Sequence, residues 1–245
     1  MKTVCVYHSI DLDGFMSAAI VKHWFITKSI KNLLNIDLTN PNTIDFIGYN
    51  YGEPIPDLSE YDKVIMCDIS FPKEDMEMIA NKLIWIDHHI SAIKIMDESE
   101  HFNSNILTRF TQTNYSACEL TWYNFFPNET MPEIVRLLGR YDCFGHKGTD
   151  EEQNVLIFQY AARAYIKNYE DAYGFLVGNK VFHDSNDEVN TIEMMMLYGS
   201  SIYQYLCTEA KQTYKNGFEI KLSTNFELPS GNGAFNIFKF ICINK

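Results

Sequence analysis

The sequence predicts an α/β fold: a mostly parallel sheet flanked by helices, then a helical connector and a small α+β C-terminal piece. Three observations carry this. Short β-branched or apolar runs alternate with helix-like stretches over residues 1–150. Three of those runs end in Asp or His, and open α/β sheets gather ligands beyond the carboxyl ends of their strands. The chain has 245 residues, 46% hydrophobic and 21% charged, which suffices for one substantial core and a smaller appendage.

The elements follow in order. Lys2–Tyr7 is a buried strand running into the acidic loop His8–Gly14, and Phe15–Phe25 is a helix with Ala and Ile on successive turns. Asp45–Tyr49 and Val64–Met66 are further strands, the latter leading to Cys67-Asp68-Ile69-Ser70. Phe71-Pro72 opens a helix, with Pro in its first turn. Leu83–Ile86 is a strand that ends in Asp87-His88-His89, and Asn105–Thr108 another that precedes Arg109. Tyr115–Phe126 is helical, and Pro132–Leu138 starts a helix that ends near Asp142. Glu151–Lys167, Asp171–Val177 and Asp187–Tyr214 are mainly helical, and their Met194-Met195-Met196 run is core or interface filling. Phe218–Leu222 and Phe235–Ile243 are strand-like, joined by a Pro/Gly turn that contains Gly231 and Gly233. The polar segment 146–154 suggests a boundary. The expected parts are 1–150 (the sheet domain), 151–214 (the connector) and 215–245 (the C-terminal piece).

Charge and composition exclude several functions. Against 20 basic residues stand 32 acidic ones, a formal net charge of −12, so a grip on long duplex nucleic acid through phosphate neutralisation is not expected. No apolar run approaches the roughly 18–20 residues a membrane-spanning helix needs, so no membrane partner is expected. The N-terminus turns polar too soon for a secretory signal. Six cysteines lie scattered without a C-x-x-C pair, which points to a reducing, cytoplasmic setting and away from a disulfide scaffold. The sequence leaves open a dimer or a higher oligomer.

Four clusters carry chemistry: His8 with Asp11, Asp13 and Gly14; Asp68; Asp87-His88-His89; and Asp142. Carboxylates that converge without a counter-charge repel one another and lose hydration, and a divalent cation removes that cost. Mixed His/carboxylate donors suit Mn²⁺, Fe²⁺ or Zn²⁺, whereas pure carboxylate and water donors suit Mg²⁺. Taken singly, an Asp at a strand end most often caps a helix or a turn, and Asp68 could cap the helix after it. His23, His101 and His146 are expected on the surface or on helix faces. Adjacent imidazoles after an apolar strand and an Asp have little structural reason to exist.

Together these motifs resemble the DHH phosphoesterase superfamily, which takes its name from a triplet such as Asp87-His88-His89. Tyr7-His8-Ser9-Ile10-Asp11-Leu12-Asp13-Gly14, Cys67-Asp68-Ile69-Ser70 and Gly139-Arg140-Tyr141-Asp142 are similar to its other motifs, in the same order, over about residues 1–150. The first is most similar to the oligoribonuclease (nanoRNase) and exopolyphosphatase-related branch. The resemblance implies a phosphoesterase with two divalent ions, Mn²⁺ foremost, and a hydroxide bridging them as the nucleophile. His8 and Asp11 would hold one ion, and Asp13, His88 and Asp142 the other, with Asp68 bridging both. His89 would face the substrate phosphate as an electrophile or proton donor, and Asp87 would accept a hydrogen bond from an imidazole. The implied substrate is a short oligonucleotide or nucleotide, with polyphosphate or pyrophosphate as the alternative. A third alternative is a metal- or nucleotide-binding protein without turnover. Such relatives carry a C-terminal DHHA1 domain with a Gly-rich, His-containing segment, and here that region is expected to be reduced or truncated. Two further substrate contacts are expected: Arg109, which could meet a phosphate bidentately or form a surface salt bridge, and Ser116, at a helix N-terminus that could face an anion or be an ordinary first turn.

Overall fold

The computed structural model describes residues 2–33, 44–178, 191–224 and 236–242. The chain divides into two compact units, residues 1–199 and 200–245.

The first unit is a three-layer α/β/α domain. Its strands are β1 (Thr3–His8), β2 (Ile44–Tyr49), β3 (Lys63–Cys67), β4 (Leu83–Asp87) and β5 (Thr108–Thr111), and all their pairings are parallel, in the order β2-β1-β3-β4-β5. The expected α/β class is therefore observed, with every pairing in the sheet parallel. Both faces are buried, and side chains divide between them by the two-residue period of a strand. Cys5, Tyr7, Ile65, Cys67 and Ile86 join one core. Val4, Val6, Val64, Met66, Leu83 and Trp85 join the other.

The second of these cores is covered by α2 (Lys73–Ile79), α3 (Ile90–Asp97) and α4 (Glu100–Asn105), through Met76, Ala92, Met96 and Phe102. The first is covered by α1 (Leu12–Leu33), α5 (Ala117–Phe125), α6 (Glu133–Asp142), α7 (Glu152–Tyr165) and α8 (Tyr169–Leu176). The last long helix, α9 (Thr191–Lys215), adds Met195 to that core, flanked by the half-buried Met196. The filling role read for the Met run holds there.

Several elements differ from expectation. Sequence reading gave no helix between Leu83–Ile86 and the next strand, yet α3 and α4 fill that interval. Their presence moves β5 to Thr108–Thr111, because Asn105 ends α4 and the Ile106 N–H still donates to the Phe102 carbonyl. Arg109 thus lies within a strand. His146 is buried rather than exposed, with its ring stacked on Tyr141 and Nδ1 2.9 Å from the Arg140 carbonyl oxygen. His23 does sit on a helix face, stacked on Phe126. The polar segment 146–154 lies inside the first unit. In the second unit β6 (Phe218–Thr224) pairs antiparallel with β7 (Asn236–Cys242), while Gly231 and Gly233 lie outside the described residues. Among the described residues no helix is long and apolar enough to cross a membrane.

The sheet order reverses its direction of growth at β1. The chain passes from β1 to β2 on one side, then returns across β1 to β3 on the other. This switch point opens a crevice at the carboxyl ends of β1 and β3, where ligands settle in such sheets.

Candidate metal centre

The crevice is lined by the residues that end these strands. His8 is the last residue of β1, Asp68 follows β3, and Asp87 ends β4 with His88 and His89 directly after it. Asp11 and Asp13 enter from the start of α1, and Asp142 from the last position of α6. Gly14 lets α1 start this close to the strand tip, since a Cβ there would fall 2.0 Å from the His8 carbonyl oxygen.

Asp68 is the centre of the arrangement. It is 1% exposed, and it is one of two non-glycine residues with positive φ among those described, at 61°. Its N–H donates to the Ile86 carbonyl at 2.9 Å, which ties the turn to β4. The carboxylate caps nothing, for α2 begins after Pro72, and neither oxygen has a hydrogen-bond partner. The two oxygens face different groups. Oδ2 lies 3.5 Å from His8 Nδ1, which is itself 2.8 Å from Asp11 Oδ2. Oδ1 lies 3.4 Å from His88 Nε2, which is 3.2 Å from Asp142 Oδ2 and 3.6 Å from Asp13 Oδ2. Donor atoms within 4.8 Å of one another form the sets His8/Asp11/Asp68, Asp68/His88/His89 and His88/Asp142/Cys143.

A buried carboxylate with two unpartnered oxygens is costly unless a cation meets it. The donor set fits that cation: mixed imidazole and carboxylate groups, with Asp68 placed to serve two ions at once. The electrostatics agree. Burial, with repulsion from Asp13, pushes the Asp68 carboxyl well above the ordinary carboxylate range. Burial and Asp13 likewise push Asp142 up to about 7, against an opposing pull from His88. Burial disfavours a charged His8, but Asp11 and Asp68 outweigh it and raise His8 to about 10. His88 is raised to about 9, its burial outweighed by Cys143, Asp13 and Asp142. The same groups that could hold a cation therefore retain protons more readily than ordinary carboxylates and imidazoles do.

The remaining residues are more specialised. Asp13 accepts hydrogen bonds from the Ala117 and Cys118 N–H groups, both at 2.8 Å, so its carboxylate seals the amide end of α5. Each oxygen keeps a second lone pair, and Oδ2 faces His88. Asp87 is fully buried, and its Oδ1 accepts from the N–H groups of His88 and His89. The same oxygen lies 2.7 Å from His89 Nδ1, which fixes that ring and leaves Nε2 for another partner. The His89 side chain is 36% exposed.

The structure gives the two further expected substrate contacts partners within the protein. Ser116 is fully buried and forms a capping box with Glu119, its hydroxyl accepting from the Glu119 N–H. The anion at that helix end is the protein's own Asp13. Arg109 takes the salt-bridge alternative: its guanidinium pairs with Asp97 at 2.7 Å, donates to Thr111 and Asn103, and stacks over Trp85. Three site residues escaped sequence reading. Asn50, 3.3 Å from His8 Nε2, directly follows β2, so the strand-end rule could have flagged it. Cys143, 3.8 Å from His88 Nδ1, is adjacent to Asp142. Gln159 lines the cleft from mid-helix, where no spacing rule points.

The family model described as the DHH family, N-terminal domain, matches residues 3–138, more than half of the chain. The chain belongs to the DHH family. DHH proteins are metal-dependent phosphoesterases and phosphoanhydride hydrolases, so hydrolase chemistry with divalent metals is the family's chemistry here. The DHH match spans every strand of the parallel sheet and the centre's residues from His8 to His89, while Asp142 lies four residues beyond it. No curated protein and no solved structure matches the chain.

Proposed function

We propose that this chain is a phosphodiesterase of short oligonucleotides or small nucleotides, of the oligoribonuclease-like kind, working with two Mn²⁺ ions. One observation carries the reading: a single buried carboxylate, Asp68, turns its two unpartnered oxygens toward two separate donor sets. A cleft of about 590 Å³ runs from Asp11, Asp13 and Asp142. That volume is in the range of small-molecule sites and suits one or two nucleotides. The net charge of −12 supports a short substrate over a long duplex.

His8 and Asp11 would hold one ion, and His88, Asp142 and the free lone pair of Asp13 the other, with Asp68 shared. Bound ions supply the Lewis acidity that makes water a nucleophile near neutral pH and offsets charge on the phosphoryl oxygens. Asp87 holds His89 by Nδ1, so that a proton on Nε2 can be given to a phosphoryl oxygen or to the leaving group.

The test is turnover of a dinucleotide, a short RNA, a cyclic dinucleotide and pyrophosphate by chelator-treated protein, with and without Mn²⁺. Cleavage of the dinucleotide or short RNA that disappears in chelator and returns with Mn²⁺ is the expected result. Turnover confined to pyrophosphate would select a phosphoanhydride hydrolase, and tight binding without turnover a binding protein. Full activity in chelator would defeat the metal mechanism.

A further inference from the structure

The cleft has a second wall that the metal centre does not use. It is formed by α7 and the residues just after it, which bring Gln159, Arg163 and Lys167 into the same cleft as Asp13 and Asp142. Gln159 and Arg163 are four residues apart and share a helix face. Gln159 is 4% exposed, and its Oε1 has no hydrogen-bond partner. Arg163 is exposed and lies over the Tyr141 ring at 5.4 Å, and the Lys167 ammonium donates to its carbonyl. A buried amide oxygen without a partner is costly unless something fills the place. Whichever way that amide is turned, it offers one acceptor and two donors. A phosphate oxygen answers only the donors. A ribose hydroxyl or the edge of a base answers both.

We propose that Gln159 and Arg163 form the substrate's nucleoside subsite, Gln159 pairing with a hydroxyl or base edge beside the scissile phosphate and Arg163 holding the next phosphate. This rests on the phosphodiesterase reading above and adds what would set its substrate: the site recognises the organic part, so bare polyphosphate leaves Gln159 unanswered. Arg163 is suited to the second role because its planar fork binds phosphate bidentately while stacked on Tyr141.

The experiment compares Gln159→Met, which keeps length and removes both polar atoms, with Arg163→Ala at an exposed position. With Mn²⁺ present, kcat/KM is measured for a dinucleotide and for bis(p-nitrophenyl) phosphate, a diester without a nucleoside. Gln159→Met is expected to lower the ratio of the two by about tenfold or more, the scale of one lost hydrogen bond in a dry pocket. Arg163→Ala is expected to raise KM for a 5′-phosphorylated dinucleotide about fivefold more than for the unphosphorylated one. Ratios within twofold of wild type in both variants overturn the subsite while leaving the phosphodiesterase reading intact. If the wild type cleaves neither diester, that reading fails, and fluorescence anisotropy of a labelled dinucleotide decides the subsite by itself. Equal affinity in all three proteins overturns it, and weakening in both variants supports it.

Discussion

At the scale of single residues, Asp68 carries more consequence than any neighbour. Its left-handed backbone is one that Asp and Asn adopt with little strain, whereas Ala there costs about 1 kcal/mol. Asp68→Asn is therefore the clean probe, since it keeps the backbone and shape and removes the buried charge. Without metal this variant is expected to melt no lower than the wild type, because an unpaired buried carboxylate is gone. The wild type should gain about 2.7 kcal/mol in Mn²⁺ at a hundredfold its Kd, and Asp68→Asn should lose most of that gain in the same thermal-shift measurement. An equal Mn²⁺ shift in both would remove Asp68 from the ion site. Much at this scale was legible in the sequence. His8, Asp68 and His88 each sit at a strand tip, and the fold rule alone brings tips together. The latch that Asp13 places on α5 was not legible, because its partners Ala117 and Cys118 lie more than 100 residues away and donate through backbone.

At the scale of elements, the clearest case is α5. A helix N-terminus attracts anions, and the sequence leaves open whether Ser116 turns that attraction on a substrate or begins an ordinary first turn. The structure gives the position to Asp13 and closes Ser116 into a capping box. Removing the cap by Ser116→Ala should lower stability by about 1 kcal/mol, read from denaturant unfolding, with KM for a dinucleotide within twofold of wild type. A large rise in KM without loss of stability would restore the substrate role. The same limit applies to β5. Asn105–Thr108 has a strand's composition at its apolar positions, but α4 needs Phe102 buried and so continues to Asn105, which pushes pairing to Thr108–Thr111. Local pattern could not foresee that, because the choice is made by packing against the core that contains Trp85.

For the whole molecule, the concentration of like charge at one rim sets the pH response. His8 and His88 have pKa values raised from 6.5 to about 10 and about 9. Groups raised in this way stabilise the fold fully below 6.5, and the contribution is lost as pH climbs through 9 and 10. Asp142, raised from 3.8 to about 7, acts in the same sense, since its ionisation is less favourable folded than unfolded and stability falls as pH rises through 7. Asp11, which burial alone would raise but which His8 and the Gly14 N–H bring down overall, opposes this only at acid pH. The metal-free protein should therefore show a melting temperature that declines steadily from pH 6 to pH 10. Mn²⁺ should flatten the decline, because the ions take the place of those protons and bind better as the ligands shed them. Identical profiles with and without Mn²⁺ would separate these histidines from the metal centre. The fold class at this scale was readable from the alternation of strands and helices, which follows from burying both faces of a parallel sheet.

The doubled duty of Asp13 limits how such a centre can change. One carboxylate latches α5 and, on the proposed reading, would also wall the ion pocket, so lengthening it to Glu would unfasten a helix before it retuned an affinity. Asp142 is under no such bond: it ends α6, touches solvent, and accepts no hydrogen bond among those described. On the proposed reading, changes in metal preference or rate would fall at the α6 end of the pocket, while the α1 end would stay fixed by the requirements of folding.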